Sequence, residues 1–175
     1  PSPGAREMVT SVSSDDLRAV APIPLPGRLK AASITTEPPT TRLVSPLDLR
    51  VEAAYQRDLS GKSIKLIRKI VEGWDWTKFK PPVCAEGPNG LFVIDGQHTA
   101  IAAATHPAIS RIPVLVVEAA HMEKRAAAFV SHNRDRLAMS SLQVFHASAA
   151  AGDKAATAVL RMVIAAGGSV PRSSP

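Results

Sequence analysis

Two hydrophobic periods alternate along this chain, with polar punctuation between them. In "KSIKLIRKIVEGWDW" Ile64, Ile67, Ile70 and Val71 share one helical face, while Lys65, Arg68 and Lys69 fall elsewhere. Ser60 or Ser63 is placed to cap that helix and Gly73 to stop it. "PPVCAE", the turn "GPNG" and "LFVIDG" then read as a hairpin of two strands. An alanine-rich helix follows from Thr99 to about His106, ending ahead of Pro107 because a residue before proline avoids helical geometry. "RIPVLVVEA" is a third strand, apolar enough to be buried on both faces.

From there the pattern is helical throughout. "HMEKRAAAFVSHN" is one helix, and "SSLQVFHASAAAG" a second, with Ser140 or Ser141 as cap and Gly152 as stop. "DKAATAVLRMVIAAGG" is a third, capped by Asp153 and closed at Gly167. Beyond it "VPRSSP" follows what reads as the start of a further strand, so the domain is expected to continue past the last residue. No internal repeat is present in the sequence.

The N-terminal end reads differently. Residues 1–40 are dominated by Pro, Ser, Thr and Ala, a composition that buries too little apolar surface to offset the entropy of ordering; a disordered arm is expected. At Thr41 the pattern changes: "TRLVSPLDLRV" predicts a short strand and then a turn at Pro46, and "YQRDLSGKS" a polar loop. The expected architecture is therefore mixed α+β: an arm over 1–40, a core of small sheet and helices over 41–120, and a helical extension over 121–175.

Composition narrows the setting. The chain has 175 residues, 45% of them hydrophobic, enough for a real core. Its formal charge of 21 − 15 = +6 favours anionic partners, nucleic acid or nucleotides, although a solvated basic surface gives the same figure. The single cysteine, Cys84, excludes an internal disulfide and a cysteine-rich zinc site and fits a reducing cytoplasm. No apolar run reaches membrane-spanning length, so no membrane partner is expected, and no leader-like segment opens the sequence.

The candidate chemistry lies where the second hairpin strand meets its helix, at Asp95-Gly96-Gln97-His98-Thr99. A helix N-terminus carries unsatisfied N–H groups and a positive dipole end, and so holds phosphate well. Gly96 lets a ligand approach the backbone closely, and Thr99 adds a hydroxyl. The same residues also fit a plain Asp-Gly turn with Asp95 or Thr99 capping the helix. Asp95 and His98 are the candidates for catalytic roles. His98, His106, His121, His132 and His146 show no metal-ligand spacing. Trp74 and Trp76 fit core and rim packing better than a base-stacking platform.

The order "YQR", helix, "KPPVCAEGPNGLFVIDGQHTAIAAA", "IPVLVV", helices resembles the ParB/sulfiredoxin superfamily, in particular ParB-like (ParB-like nuclease) N-terminal domains with an Asp-Gly-Gln-His-Arg signature. The resemblance spans about Arg42 to Asp153. It implies a small sheet with packed helices, and a nucleotide whose phosphates lie at the Gly96 helix start. Tyr55, Gln56 and Arg57 match the family's upstream loop, where the arginine lies near the phosphates. Asp95, Gly96, Gln97 and His98 match the signature, while Thr99 stands where the family carries arginine; a hydroxyl replaces a bidentate donor. In "SHNRDRLAMSSLQ", Asn133 and Arg136 keep an Asn-x-x-Arg spacing, with His132 in place of the partition proteins' glutamate. The same stretch also reads as a helix end with Asn133 near its terminus and Arg134 and Arg136 solvated.

Sulfiredoxin chemistry is not implied, because Gln97 occupies the position of its catalytic cysteine. The resemblance implies a nucleotide- and DNA-associated protein of bacterial or mobile-element type, taking CTP or ATP with Mg²⁺ at Gln56, Arg57, Gly96, Gln97, His98, Thr99, Asn133 and Arg136, and capable of forming a homodimer. Two other classes stay open: a phosphoryl-transfer enzyme of the superfamily (nuclease or small-molecule kinase), and an interaction module with a degenerate site. "VFHASAAAGDKAATAVLRMVIAAGG" is poor in Lys and Arg, so it reads as a packing platform more than as a DNA-reading surface.

Overall fold

The computed structural model describes residues 19–54, 56, 58–134 and 138–171. The chain divides into two compact units, Pro1–Thr35 and Thr36–Pro175. In the first, the described residues 19–35 form neither helix nor strand and are all exposed.

The second unit runs β1 (Thr40–Val44), a short 3-10 turn (Pro46–Asp48), β2 (Leu49–Arg50), α1 (Gly61–Glu72), β3 (Val83–Gly87), β4 (Gly90–Asp95), α2 (Gln97–Thr105), β5 (Ile112–Val117), α3 (Met122–Arg134), α4 (Ser141–Ala150) and α5 (Lys154–Ala165). The strands form one five-stranded mixed sheet in the order β1-β5-β3-β4-β2. β1 is antiparallel to β5, from Thr40 opposite Val116 to Val44 opposite Ile112, and β5 is parallel to β3. β3 and β4 make the expected hairpin, closed by Pro88-Asn89 with Gly87 opposite Gly90. β2 lies parallel to the far side of β4, Leu49 opposite Leu91.

Consecutive residues of the two central strands serve opposite faces. Cys84 and Val93 join Ile112, Val114 and Val116 on one face, under Ala100 and Ala103 of α2. Ala85 and Ile94 form a second cluster with Ala119, covered by Ala128 and Phe129 of α3. Alanines on α2 let the helix lie close to the sheet, and α1 packs on α2 in turn. α3, within the stretch expected as a helical extension, thus covers the sheet directly. α4 and α5 pack chiefly on each other, and only Ala156 of the two is buried.

The caps left open by the sequence resolve to one residue each. Ser60 accepts from Ser63 N at 3.2 Å, and Ser140 forms a capping box with Gln143. Asp153 accepts from Ala156 N at 2.8 Å, and Gly152 and Gly167 take positive φ at the helix stops.

The first strand begins at Thr40, paired with Val116, within a residue of the expected boundary. On α1 the expected apolar face supplies buried Ile67 and half-buried Ile70 and Val71, while Ile64, in the first turn, is exposed. Three expectations need correction. "SPLDLRV" contributes a strand as well as a turn. β5 alternates between buried and half-buried positions instead of being buried on both faces, since α2 seals one side fully. Residues 168–171 form no further strand.

Cys84 is fully enclosed at the sheet centre, and burial pushes its thiol up from 9.0 to about 12. The neutral thiol is the form the fold accommodates. Its contribution, measured against Cys84→Ala, is complete below pH 9.0 and declines as pH rises toward about 12. At pH 8 the native thiol should resist a soluble aromatic disulfide reagent and react at once in guanidinium. Rapid labelling of the native protein would contradict this burial.

Candidate functional site

The site grows from the β4–α2 junction. β4 lies between β3 and the edge strand β2 and ends at Asp95; the chain then reverses through Gly96, at φ 90°, into α2. The helix begins at Gln97, two residues before the Thr99 start the sequence predicted. The N-cap position falls to Gly96, not to Asp95 or Thr99, and among the described residues no side-chain cap closes the first turn. The Gly96 carbonyl accepts from Ala100 N at 2.9 Å, so the helix is properly wound.

Gly96 has a reason of its own to be glycine. Its φ lies in the left-handed region, and a Cβ there would sit 3.0 Å from Pro82 Cα. Backbone shape and the packing of Pro82 already require glycine here, with or without a ligand.

A hollow of about 430 Å³ opens at this junction. Asp95, Gly96, Gln97, His98 and Thr99 line one side, Gln56 and Lys80 another, and Phe129 and Asn133 of α3 a third. Of the residues singled out from the sequence, seven thus meet in one place: Gln56, Asp95, Gly96, Gln97, His98, Thr99 and Asn133. Arg57 and Arg136 lie outside the described residues. Among the described residues no cluster of His, Cys, Asp and Glu is arranged to hold a metal ion.

Two of the seven have their amides engaged. Gln56, 8% exposed, donates from Nε2 to the carbonyls of Val93 at 3.0 Å and Ile94 at 3.2 Å, pinning the upstream loop to β4. Asn133 donates to the Phe129 carbonyl of its own helix at 2.8 Å. Gln56 thereby positions the wall of the hollow.

The loop is pinned a second time by a pair absent from the sequence reading. Arg125 of α3, 4% exposed, holds Glu52 through two parallel bonds, Nε to Oε2 at 2.8 Å and Nη2 to Oε1 at 2.7 Å. Its Nη1 donates to the carbonyls of Ala120 at 2.7 Å and Ala119 at 3.3 Å, and its guanidinium lies 4.7 Å over the Phe92 ring. Gly87 leaves room for that ring, since a Cβ there would collide with it. Inside one helical turn, Gln56 N bonds back to Glu52 O at 3.0 Å.

A second hollow, about 600 Å³, adjoins the first and shares Leu66, Ile70, Lys80 and Thr99 with it. Lys69, Glu72, Gly73, Trp74, Asp75, Lys78 and Phe79 line the remainder, two carboxylates among them. Trp74 stacks edge-on to Trp76 and packs near Phe79 and His106, as core-and-rim packing predicts, yet its buried Nε1 finds no acceptor among the described residues. Nothing in the sequence flagged this hollow beyond the aromatic spacing itself.

No protein-family model matches the chain, and no curated protein matches it. Solved structures do. The C-terminally truncated chromosome-partitioning protein ParB from Caulobacter crescentus, in complex with CTP-γ-S, aligns with 66% of this chain and 64% of its own at 14% identity, with a TM-score of 0.53. Two structures of a pNOB8-like ParB N-domain align with 70% and 76% of this chain and 49% of theirs, at 15% and 13% identity and TM-scores of 0.42 and 0.44. The chain has the ParB-like N-terminal fold, mixed α+β as the sequence predicted, and spans less than two-thirds, 64%, of the truncated Caulobacter chain.

Removing one partner of the buried pair should be costly and removing both much less so. Glu52→Ala strands the Arg125 charge and should lower stability by about 3 kcal/mol or more, whereas Glu52→Leu with Arg125→Met should lose far less. Equal losses in denaturant unfolding would show that the pair is not what holds the loop.

Proposed function

We propose that this chain is a ParB-like nucleotide-binding, DNA-associated protein that holds the ligand's phosphates at the start of α2. The observation that carries this reading is the convergence at one hollow of an uncapped helix N-terminus with the seven residues the sequence had singled out. The N–H groups of Gln97, His98 and Thr99 supply donors, the Thr99 hydroxyl another, and Lys80 a positive charge. Arg57 and Arg136 are the further phosphate contacts expected from the sequence.

The residues fit a nucleotide on a second count. The adjoining hollow has aromatic walls at Trp74 and Phe79, against which a planar base can stack. CTP is the first candidate, because the Caulobacter protein that shares the fold was solved with a CTP analogue, and ATP is the second. Mg²⁺ would enter with the phosphates, its remaining positions filled by water. The basic balance of the chain supports DNA association, and a cytoplasmic homodimer is the setting that goes with it. Among the described residues, no helix is long and apolar enough to cross a membrane.

His98 gives the cleaner test. Gly96→Ala is strained whatever the ligand, whereas His98→Ala replaces a half-buried side chain early in a helix with a residue that suits it. By calorimetry with Mg²⁺, the parent should bind CTP or ATP, and His98→Ala should remain folded and lose at least about tenfold in affinity, about 1.4 kcal/mol. Unchanged affinity for each nucleotide would place the site elsewhere. Absence of binding by the parent would favour the interaction-module reading, and steady release of phosphate the phosphoryl-transfer reading, with Asp95 and His98 as its candidates.

A further inference from the structure

Apart from Lys69, which also lines the second hollow, the cations of α1 lie outside the site described above. Lys62, Lys65, Arg68 and Lys69 are all exposed, and none of them is paired with a carboxylate among the described residues. At 3.6 residues per turn they fall within an arc about 120° wide and extend about 10 Å along the axis. The helix has a single carboxylate, Glu72, in its last turn. Four like charges kept on one face without neutralisation repel one another, a cost that an anionic partner would remove. α4 and α5 offer no comparable surface: α4 has no Lys or Arg, and α5 only Lys154 and Arg161.

We propose that this face of α1 is a contact surface for the phosphate backbone of duplex DNA. The proposal rests on the DNA association argued above and names the surface responsible. A stripe about 10 Å long matches about three phosphate intervals of one strand, at 3.4 Å of axial rise each. Contacts of this kind neutralise and position without reading bases, so binding is sequence-tolerant and strongly salt-dependent. An anionic membrane fits less well. An interfacial helix must insert its apolar face, and the apolar face of α1 is committed to the fold through buried Ile67 and half-buried Ile70 and Val71.

The test uses the full chain and a triple variant, Lys62→Gln, Lys65→Gln and Arg68→Gln. Lys69 is left intact because it also lines the second hollow. The three replaced residues lie outside both hollows and are exposed, so melting temperature and nucleotide affinity should be unchanged. Binding to a mixed-sequence DNA duplex is measured by fluorescence anisotropy over a salt series, alongside duplex RNA and vesicles of mixed neutral and anionic phospholipid. The parent should bind the DNA duplex, and the variant should bind at least tenfold more weakly at low salt. The slope of log affinity against log salt should become shallower by about 2 to 3, near 0.9 per lost phosphate contact. Equal DNA affinities and slopes for parent and variant would overturn the α1 surface while leaving DNA association standing. A parent that binds no DNA duplex would overturn both, and binding to RNA or vesicles alone would assign the stripe to that partner instead.

Discussion

A buried guanidinium organises this domain. Arg125 sits where the upstream loop, the β4 strand, the end of β5 and helix α3 meet, and its donors reach Glu52, Ala119 and Ala120 while its face covers Phe92. Burying such a charge is expensive, and it is tolerable only because the bidentate carboxylate and two carbonyls replace the lost water. The consequence is positional. α3 brings Phe129 and Asn133 one and two turns further along to the hollow, and the same pair fixes the loop whose Gln56 bonds to β4 from below. Two walls of the candidate site are therefore held by one ion pair. The third wall, the β4–α2 junction, comes from the sheet itself.

At that junction local geometry and a possible ligand make the same demand on the chain, and they need to be separated. Gly96 is required by its left-handed φ and by Pro82, so its presence is no sign of a ligand. The missing cap is a different matter. Helices that start with Ser60, Ser140 and Asp153 in this same chain are each closed by a side chain, whereas α2, whose start lines the hollow, has no side-chain cap among the described residues. An uncapped first turn leaves donors that need an acceptor, which a phosphate supplies.

Local features were legible in the sequence because their causes are local. The caps, the "GPNG" hairpin, the helix stops and the strand–glycine–helix order follow from residues a few positions apart, and together they sufficed to suggest the fold. What escaped depends on distance. Glu52 and Arg125 are 73 residues apart, and in "HMEKRAAAFVSHN" the arginine reads like any solvated cation. The parallel pairing of β2 with β4 involves two residues, too short for any periodicity to register. The Trp74 hollow arises from α1, the segment after it and α2 closing together, and Gln56 turned out to be spent on backbone carbonyls, which its position in a motif does not disclose. Of the seven residues that meet at the first hollow, Asp95 to Thr99 were found from the strand–glycine–helix order, and Gln56 and Asn133 because the resemblance placed them.

The central claim is that the first turn of α2 receives phosphate. Amide chemical shifts of the isotope-labelled protein, followed as CTP and then ATP are added with Mg²⁺, test it at the atoms concerned. The account predicts that the N–H signals of Gln97, His98 and Thr99 move most on saturation, with smaller changes at the shared wall around Ile70 and Lys80. Saturating nucleotide that leaves those three amides in place, or that shifts only residues remote from the β4–α2 junction, would contradict it.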